Sequence, residues 1–170
     1  LATFTEAVDV GKYAEEKNLS TQVAARKLRY SFFYKTATKT NSQKIALAHH
    51  LNDFGETVLM NFLRGPSPKG MAGIPPVRGK IIRPLIEISK NQIEAYAKEN
   101  ELTYIIDQSN YDKKYFRNRL RIETLPNLKE YNPNLMLGLY RGGEIFREED
   151  NFLDEITKDE FNRIHIKKTA

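Results

Sequence analysis

The stretch IALAHHLNDFGETVLMNFLRG, residues 45–65, holds His49, His50, Asn52, Asp53 and Glu56 close together. Imidazole, amide and carboxylate groups crowded at one point are the clearest sign of chemistry in the chain. A plainer reading competes with it. Asp53-x-x-Glu56 has the form of a capping box, in which two side chains satisfy free backbone amides at a helix start. A cap would account for both carboxylates, but not for the two histidines before them or for Asn52. A second candidate is KYFRNRLRIETL, residues 114–125. Arg117 and Arg121 lie four apart on one helical face, with Arg119 displaced from them. With Asn118 between them, they suit bidentate phosphate contacts; a solvated basic face is the alternative. Two weaker signals complete the set. Arg26 and Arg29 lie off the apolar stripe of an earlier helix, as anion contacts or as solvated side chains. GPSPKGMAGIPPVRG, residues 65–79, brings glycine amides near Arg64, Lys69, Arg78 and Lys80, which suits phosphate, although neither GxxxxGK[ST] nor GxGxxG is present.

Around these residues the pattern predicts an α/β fold, part of a Rossmann-like parallel sheet flanked by helices and followed by a helical segment. Phe4–Val10 alternates like a strand, and Ser20 caps a helix to about Thr38 whose stripe is Ala25, Leu28, Phe32 and Ala37. A strand from Lys44 to Ala48 leads into a helix from Asn52 to Leu63, which buries Val58, Leu59, Phe62 and Leu63 against the sheet. Its polar cluster would then sit at the carboxyl end of the strand, where such sheets bind ligands. Residues 65–79 read as a loop without regular structure, and Lys80–Pro84 as a short strand. Ser89 caps a helix from Lys90 to about Asn100 with Ile93, Tyr96 and Ala97 inward. Thr103–Ile106 reads as a strand carrying the polar cluster Asp107–Asn110 at its end. Pro126 ends the arginine-rich helix, in which Phe116, Leu120 and Leu125 face a core. After Pro133 a helix runs to about Asp159 with a bend at Gly142–Gly143. It draws its apolar positions from Leu135, Leu139, Ile145, Phe146, Phe152 and Ile156, and HIKKTA at the end is frayed.

The 170 residues suffice for one domain, or for one compact unit with an appendage. No apolar run approaches the roughly 20 residues that span a bilayer, and residues 1–10 lack a signal-peptide pattern. The absence of cysteine excludes disulfides, thiolate zinc sites, iron–sulfur clusters and cysteine nucleophiles within these residues. It accords with a reducing, cytoplasmic setting. Between Met60 and Arg121 there are 12 Lys and Arg against 6 Asp and Glu, whereas from Ile122 to Glu160 there are 4 against 10. The basic middle points to a polyanionic partner, nucleic acid or nucleotide; the acidic stretch reads as a solvated helix face.

Taken in order, the motifs resemble those of the tRNA(Ile)-lysidine synthetases, members of the PP-loop, or N-type ATP pyrophosphatase, family. Ala24-Ala25-Arg26-Lys27-Leu28-Arg29-Tyr30 is similar to that family's AAR-x-x-RY. Leu47–Thr57 with Arg64-Gly65 is similar to LAHH-x-DD-x-x-ET followed by RG. Arg83-Pro84-Leu85, Asp107–Asn110 and Tyr115–Arg121 are similar to RPL, D-x-SN and Y-x-RN-x-x-R. The resemblance implies a ligase in which ATP adenylates the 2-carbonyl oxygen of the wobble cytidine of tRNA(Ile) with a CAU anticodon. Free L-lysine then displaces AMP to give lysidine. It implies catalytic or lysine-orienting work for Asp53 and Glu56. It also implies contacts to lysine, ATP or tRNA for Arg26, Arg29, His49, His50, Asn52, Arg64, Asn110, Arg117, Asn118 and Arg121. ATP is a substrate, Mg²⁺ an expected cofactor with no assigned ligands, and a homodimer is possible. A tRNA cytidine 2-thiolase of the same fold and a non-catalytic RNA-binding module are the alternatives.

Two departures stand out. Asn52 replaces the first of the usual paired aspartates, and Phe54-Gly55 replaces a commoner polar-Ala pair without evident chemical consequence. The family's SGG-x-DS nucleotide loop occurs nowhere in the sequence. Residues 1–130 therefore resemble the later part of a catalytic domain and 131–170 a helical linker to a further region. On that basis these residues alone are expected not to catalyse the reaction.

Overall fold

The computed structural model describes residues 2–105 and 107–166, without the side chains of 165 and 166. By its contacts the chain divides into two units, residues 1–47 with 77–82, and residues 48–76 with 83–170.

The first unit holds helices α1 (Val10–Glu16) and α2 (Thr21–Lys39) and strands β1 (Ile45–Ala46), β2 (Val77–Arg78) and β3 (Ile81–Ile82). The side chains of Asp9 and Ser20 accept from Lys12 N and Val23 N, which satisfies orphan amides at the two helix starts. Phe4–Val10 is not a strand. Residues 2–9 are exposed and carry no regular structure, so their alternation has no sheet face to serve, and Val10 already opens α1. The sheet order is β1-β3-β2. Ile45 and Ala46 pair in parallel with Ile81 and Ile82, whereas Val77 and Arg78 pair antiparallel to them. The sheet is thus mixed, and β1 is shorter than the predicted 44–48. The buried apolar residues here are Ala14, Ala24, Ala37 and Ile81, a thin core.

The second unit is helical: α3 (Leu51–Arg64), α4 (Pro68–Met71), α5 (Lys90–Glu99), α6 (Phe116–Arg119), α7 (Leu125–Tyr131) and α8 (Leu135–Ile166). Residues 65–79, expected to lack regular structure, contain α4 and β2. Helix α3 packs on α8 and α4. Phe54, Val58 and Ile86 form one buried cluster; Leu51, Leu120, Leu125 and Met136 form another. Phe62 and Leu63, expected inside, are exposed, as is Tyr96 on α5. Phe54, which promised no chemistry, is fully buried and sets its ring edge-on to Tyr140 at 5.0 Å. Burial pushes the Tyr140 hydroxyl up to about 12, helped by the nearby Glu144 and by its bond to Glu87.

Gly142–Gly143 does not break α8, which is continuous to Ile166. A Cβ on Gly143 would lie 2.5 Å from the Phe54 ring, so the glycine serves close approach. Beyond it Ile145, Phe152 and Ile156 are exposed. Pro126 does not end the arginine-rich helix either. A π turn over Leu120–Thr124, with Leu125 N bonding to Leu120 O, precedes it, and the helix continues to Tyr131. A proline lacks the N–H for an i−4 bond and crowds that carbonyl; the wider π register before it eases the crowding. Residues 103–105 form no strand and Ile105 is almost fully exposed; Ile106 and the tail residues 167–170 lie outside the described residues. No helix among the described residues is long and apolar enough to cross a membrane.

Candidate functional site

The capping box at the start of α3 is one turn earlier than Asp53-x-x-Glu56. His50 is the N-cap: its Nδ1 accepts from Asp53 N (3.4 Å), while Asp53 Oδ2 accepts from His50 N (3.1 Å). Histidine is not among the usual N-cap residues, so the sequence pattern favoured the wrong pair. Glu56 is thereby released from capping. It is 1% exposed, one turn further along, facing the arginines of the α6–π segment.

Those arginines close on it. Arg121 grips Glu56 with a fork, Nε to Oε1 at 2.7 Å and Nη2 to Oε2 at 2.9 Å. Arg117 Nε donates to Glu56 Oε2 at 2.7 Å, and Arg117 Nη2 donates to Asp53 Oδ1 at 3.0 Å and to Asp53 O at 3.2 Å. Charge-assisted bonds of this length are among the strong ones. The Glu56 bond raises the Arg121 guanidinium above its usual value, against the opposing pull of burial. Glu56 therefore spends both oxygens on holding two cations and is almost wholly shut off from solvent. Asp53 is more open and lines a cavity of about 590 Å³ with His50, Asn52, Glu56, Lys90, Asn91, Asn110, Arg121, Leu125, Pro126 and Lys129.

Asn52 uses its Oδ1 to accept from Lys90 N at 2.9 Å, tying the start of α3 to the start of α5 across 38 residues. Either Asn or Asp can accept that bond, so the missing carboxylate leaves this tie intact. Asn118 is buried, and its Nδ2 donates to Ser109 O (2.8 Å) and Asp112 O (2.9 Å), fixing the turn that presents Asn110 to the cavity. Asp107 caps that turn, and its bonds from Ser109 lower its carboxyl below the usual value.

The structure thus gathers His50, Asn52, Asp53, Glu56, Asn110 and Arg121 around one cavity, with Arg117 bonded to two of them and Asn118 behind the Asn110 turn. His49 is half-buried just before the cap. Arg64 lies over the Phe116 ring at 5.5 Å and does not line the cavity. Arg26 and Arg29 belong to the first unit. There Arg26 lies over the Tyr30 ring at 5.0 Å, Arg78 lies over the same ring at 5.8 Å, and Arg29 lines a small apolar hollow with Glu6, Leu28 and Phe32. Lys90, Asn91 and Lys129 were not expected at the site. Lys90 and Asn91 follow a cap that reads as purely structural, and Lys129 lies beyond the proline that was to end its helix.

Among the described residues no group of three or more acidic or histidine side chains could hold a metal, and the Asp53 and Glu56 oxygens are committed to arginines and a backbone amide.

The family model of the PP-loop domain matches residues 1–128. A tRNA(Ile)-lysidine synthase of Thermosipho africanus is 43% identical over 152 residues, 89% of this chain and 36% of that protein. The enzyme of the same name from Bacillus subtilis is 42% identical over 164 residues, 94% of this chain and 35% of that protein. The chain spans about a third of the length of these curated relatives. Among solved structures, the U34-tRNA thiolase of Methanococcus maripaludis, determined with its 4Fe-4S cluster, aligns with a TM-score of 0.57 at 22% identity. That match covers 73% of this chain and 43% of that one, and bears on the fold alone.

Proposed function

The chain belongs to the PP-loop family, with its curated kin among the tRNA(Ile)-lysidine synthases, and from that premise we propose that it forms part of an enzyme that makes lysidine. In this reading the wobble cytidine of tRNA(Ile) with a CAU anticodon is the acceptor, ATP the activator and free L-lysine the nucleophile. The 2-oxygen of the base attacks the α-phosphorus of ATP and pyrophosphate leaves. The lysine amine then attacks the 2-carbon, AMP departs with the former 2-oxygen, and the amine gives up a proton.

The observation that carries the proposal is the Asp53–Arg117–Glu56–Arg121 cluster at one cavity. In this reading Asp53, held by Arg117 and the His50 amide at the cavity wall, orients the amine and takes its proton. Glu56 is a positioning residue: it fixes both guanidinium groups in advance, so they need not reorganise as charge develops on the transferring phosphate. Mg²⁺ carried by the triphosphate would add charge neutralisation there.

The test is lysidine formation by the full natural protein with ATP, lysine and the CAU tRNA. Asp53→Ala is expected to lower turnover by at least about 10²-fold, the scale of a lost proton acceptor. Its stability should fall by only about 0.5–2 kcal/mol, the scale of a lost cap. Retained turnover with reduced stability would make Asp53 a capping residue and no more.

A further inference from the structure

A second cavity of about 250 Å³ adjoins the first, lined by Leu51, Ser89, Pro133, Asn134, Met136 and Leu137 together with Asn52, Asn91 and Lys129. The last three also line the larger cavity. The two are therefore lobes of one trough that starts at the carboxylate–arginine cluster and ends beside the first turn of α8.

Its cations are not equivalent. Arg121 is committed to Glu56, and Lys90 pairs with Glu94 at 3.4 Å. Among the described residues Lys129 is the one trough-lining cation without an ion-pair partner. It is half-buried at the boundary between the lobes, in the last turn of α7. The small lobe combines an apolar floor, Leu51, Met136 and Pro133, with the amides of Asn91 and Asn134. Its volume lies below the roughly 300–1,000 Å³ of pockets for drug-sized ligands. An apolar floor with amide edges suits one flat heterocycle, and a free ammonium at its mouth suits one phosphate.

We propose that this lobe seats the nucleotide next to the acceptor on a single-stranded RNA, with Lys129 on the bridging phosphate and Asn91 on the base edge. This rests on the RNA reading above and assigns it a second subsite. The plain competitor is that Lys129 only offsets the dipole at the end of α7. A phosphate could also belong to ATP, so the two sources are tested separately.

The experiment is fluorescence anisotropy of the full natural protein with a short single-stranded RNA carrying C-A-U at its centre, over a range of KCl concentrations, beside ATP binding by calorimetry. Lys129→Ala is expected to weaken RNA binding about tenfold and to flatten the log–log salt slope by about 0.7, one phosphate on a single strand. Lys129→Arg should restore both. Asn91→Ala should weaken binding with the slope unchanged, and ATP affinity should stay as in the wild type throughout. Lys129→Gln serves if the alanine variant does not fold. Wild-type RNA affinity and slope in Lys129→Ala and Lys129→Gln would overturn the subsite alone, as would a loss confined to ATP. Failure of the wild type to bind the RNA would overturn the subsite and the RNA reading together.

Discussion

Glu56 is the residue whose surroundings depart furthest from its sequence appearance. As half of a D-x-x-E pattern it reads as a surface cap, yet it is buried and holds two arginines drawn from more than 60 positions away. Removing one partner of a buried ion pair typically costs about 3–5 kcal/mol. Arg117 and Arg121 remain about one-third exposed and can turn to water, which reduces that figure. Glu56→Ala is therefore expected to destabilise the chain by about 2 kcal/mol, read from urea unfolding, and Glu56→Gln by less. A loss below about 0.5 kcal/mol would mean that the cluster contributes nothing to the fold. The pairing of Arg117 with Arg121 was legible, because a spacing of four places two side chains on one helical face whatever the fold. Their shared target was not, since nothing local in a sequence records which carboxylate a distant guanidinium will meet. The same holds for Asn52, whose partner is a backbone amide of another helix.

Two elements with a serine cap were legible to within a residue or so, α2 behind Ser20 and α5 behind Ser89, whereas the single turn α4 behind Ser67 was read as loop. The cap fixes a helix start by local hydrogen bonding, so no tertiary context is needed. Strands failed more often. Residues 2–9 alternate but meet no partner strand among the described residues, and periodicity alone cannot supply one. Glycine in α8 misled for a different reason: Gly143 marks a close contact within an unbroken helix. Gly143→Ala would push a methyl group into the buried Phe54 ring and is expected to cost about 1–3 kcal/mol. Gly55→Ala meets the flexible end of Met136 and should cost less, whereas Gly142→Ala meets nothing within 4 Å and should gain up to about 1 kcal/mol of helix propensity. Thermal unfolding of the three variants checks that order; equal effects would refute the packing argument.

Over the whole molecule the apolar core is unevenly shared. The first unit buries three alanines and Ile81, whereas the second buries Leu51, Phe54, Val58, Ile86, Leu120, Leu125 and Met136. Local opening is easiest where little apolar surface is buried. Native-state hydrogen exchange is therefore expected to release the amides of α1 and α2 well before those of α3 and the first half of α8. Uniform protection across both units would show that they unfold together. The α/β class and the order of the chemical motifs were legible at this scale, but the division of the core was not, because it depends on long-range packing.

The π turn before Pro126 has a last consequence, for comparing chains of different length. Eight positions separate Arg121 from Lys129, about 80° apart on an unbroken α-helix at 3.6 residues per turn. A π turn absorbs one residue, leaving them about 20° apart, and both reach the same cavity. A one-residue insertion or deletion between them would swing Lys129 by about 100° while leaving the identity of every charged residue unchanged. Gaps in that short interval thus report which homologues keep the trough intact, where residue identities alone do not.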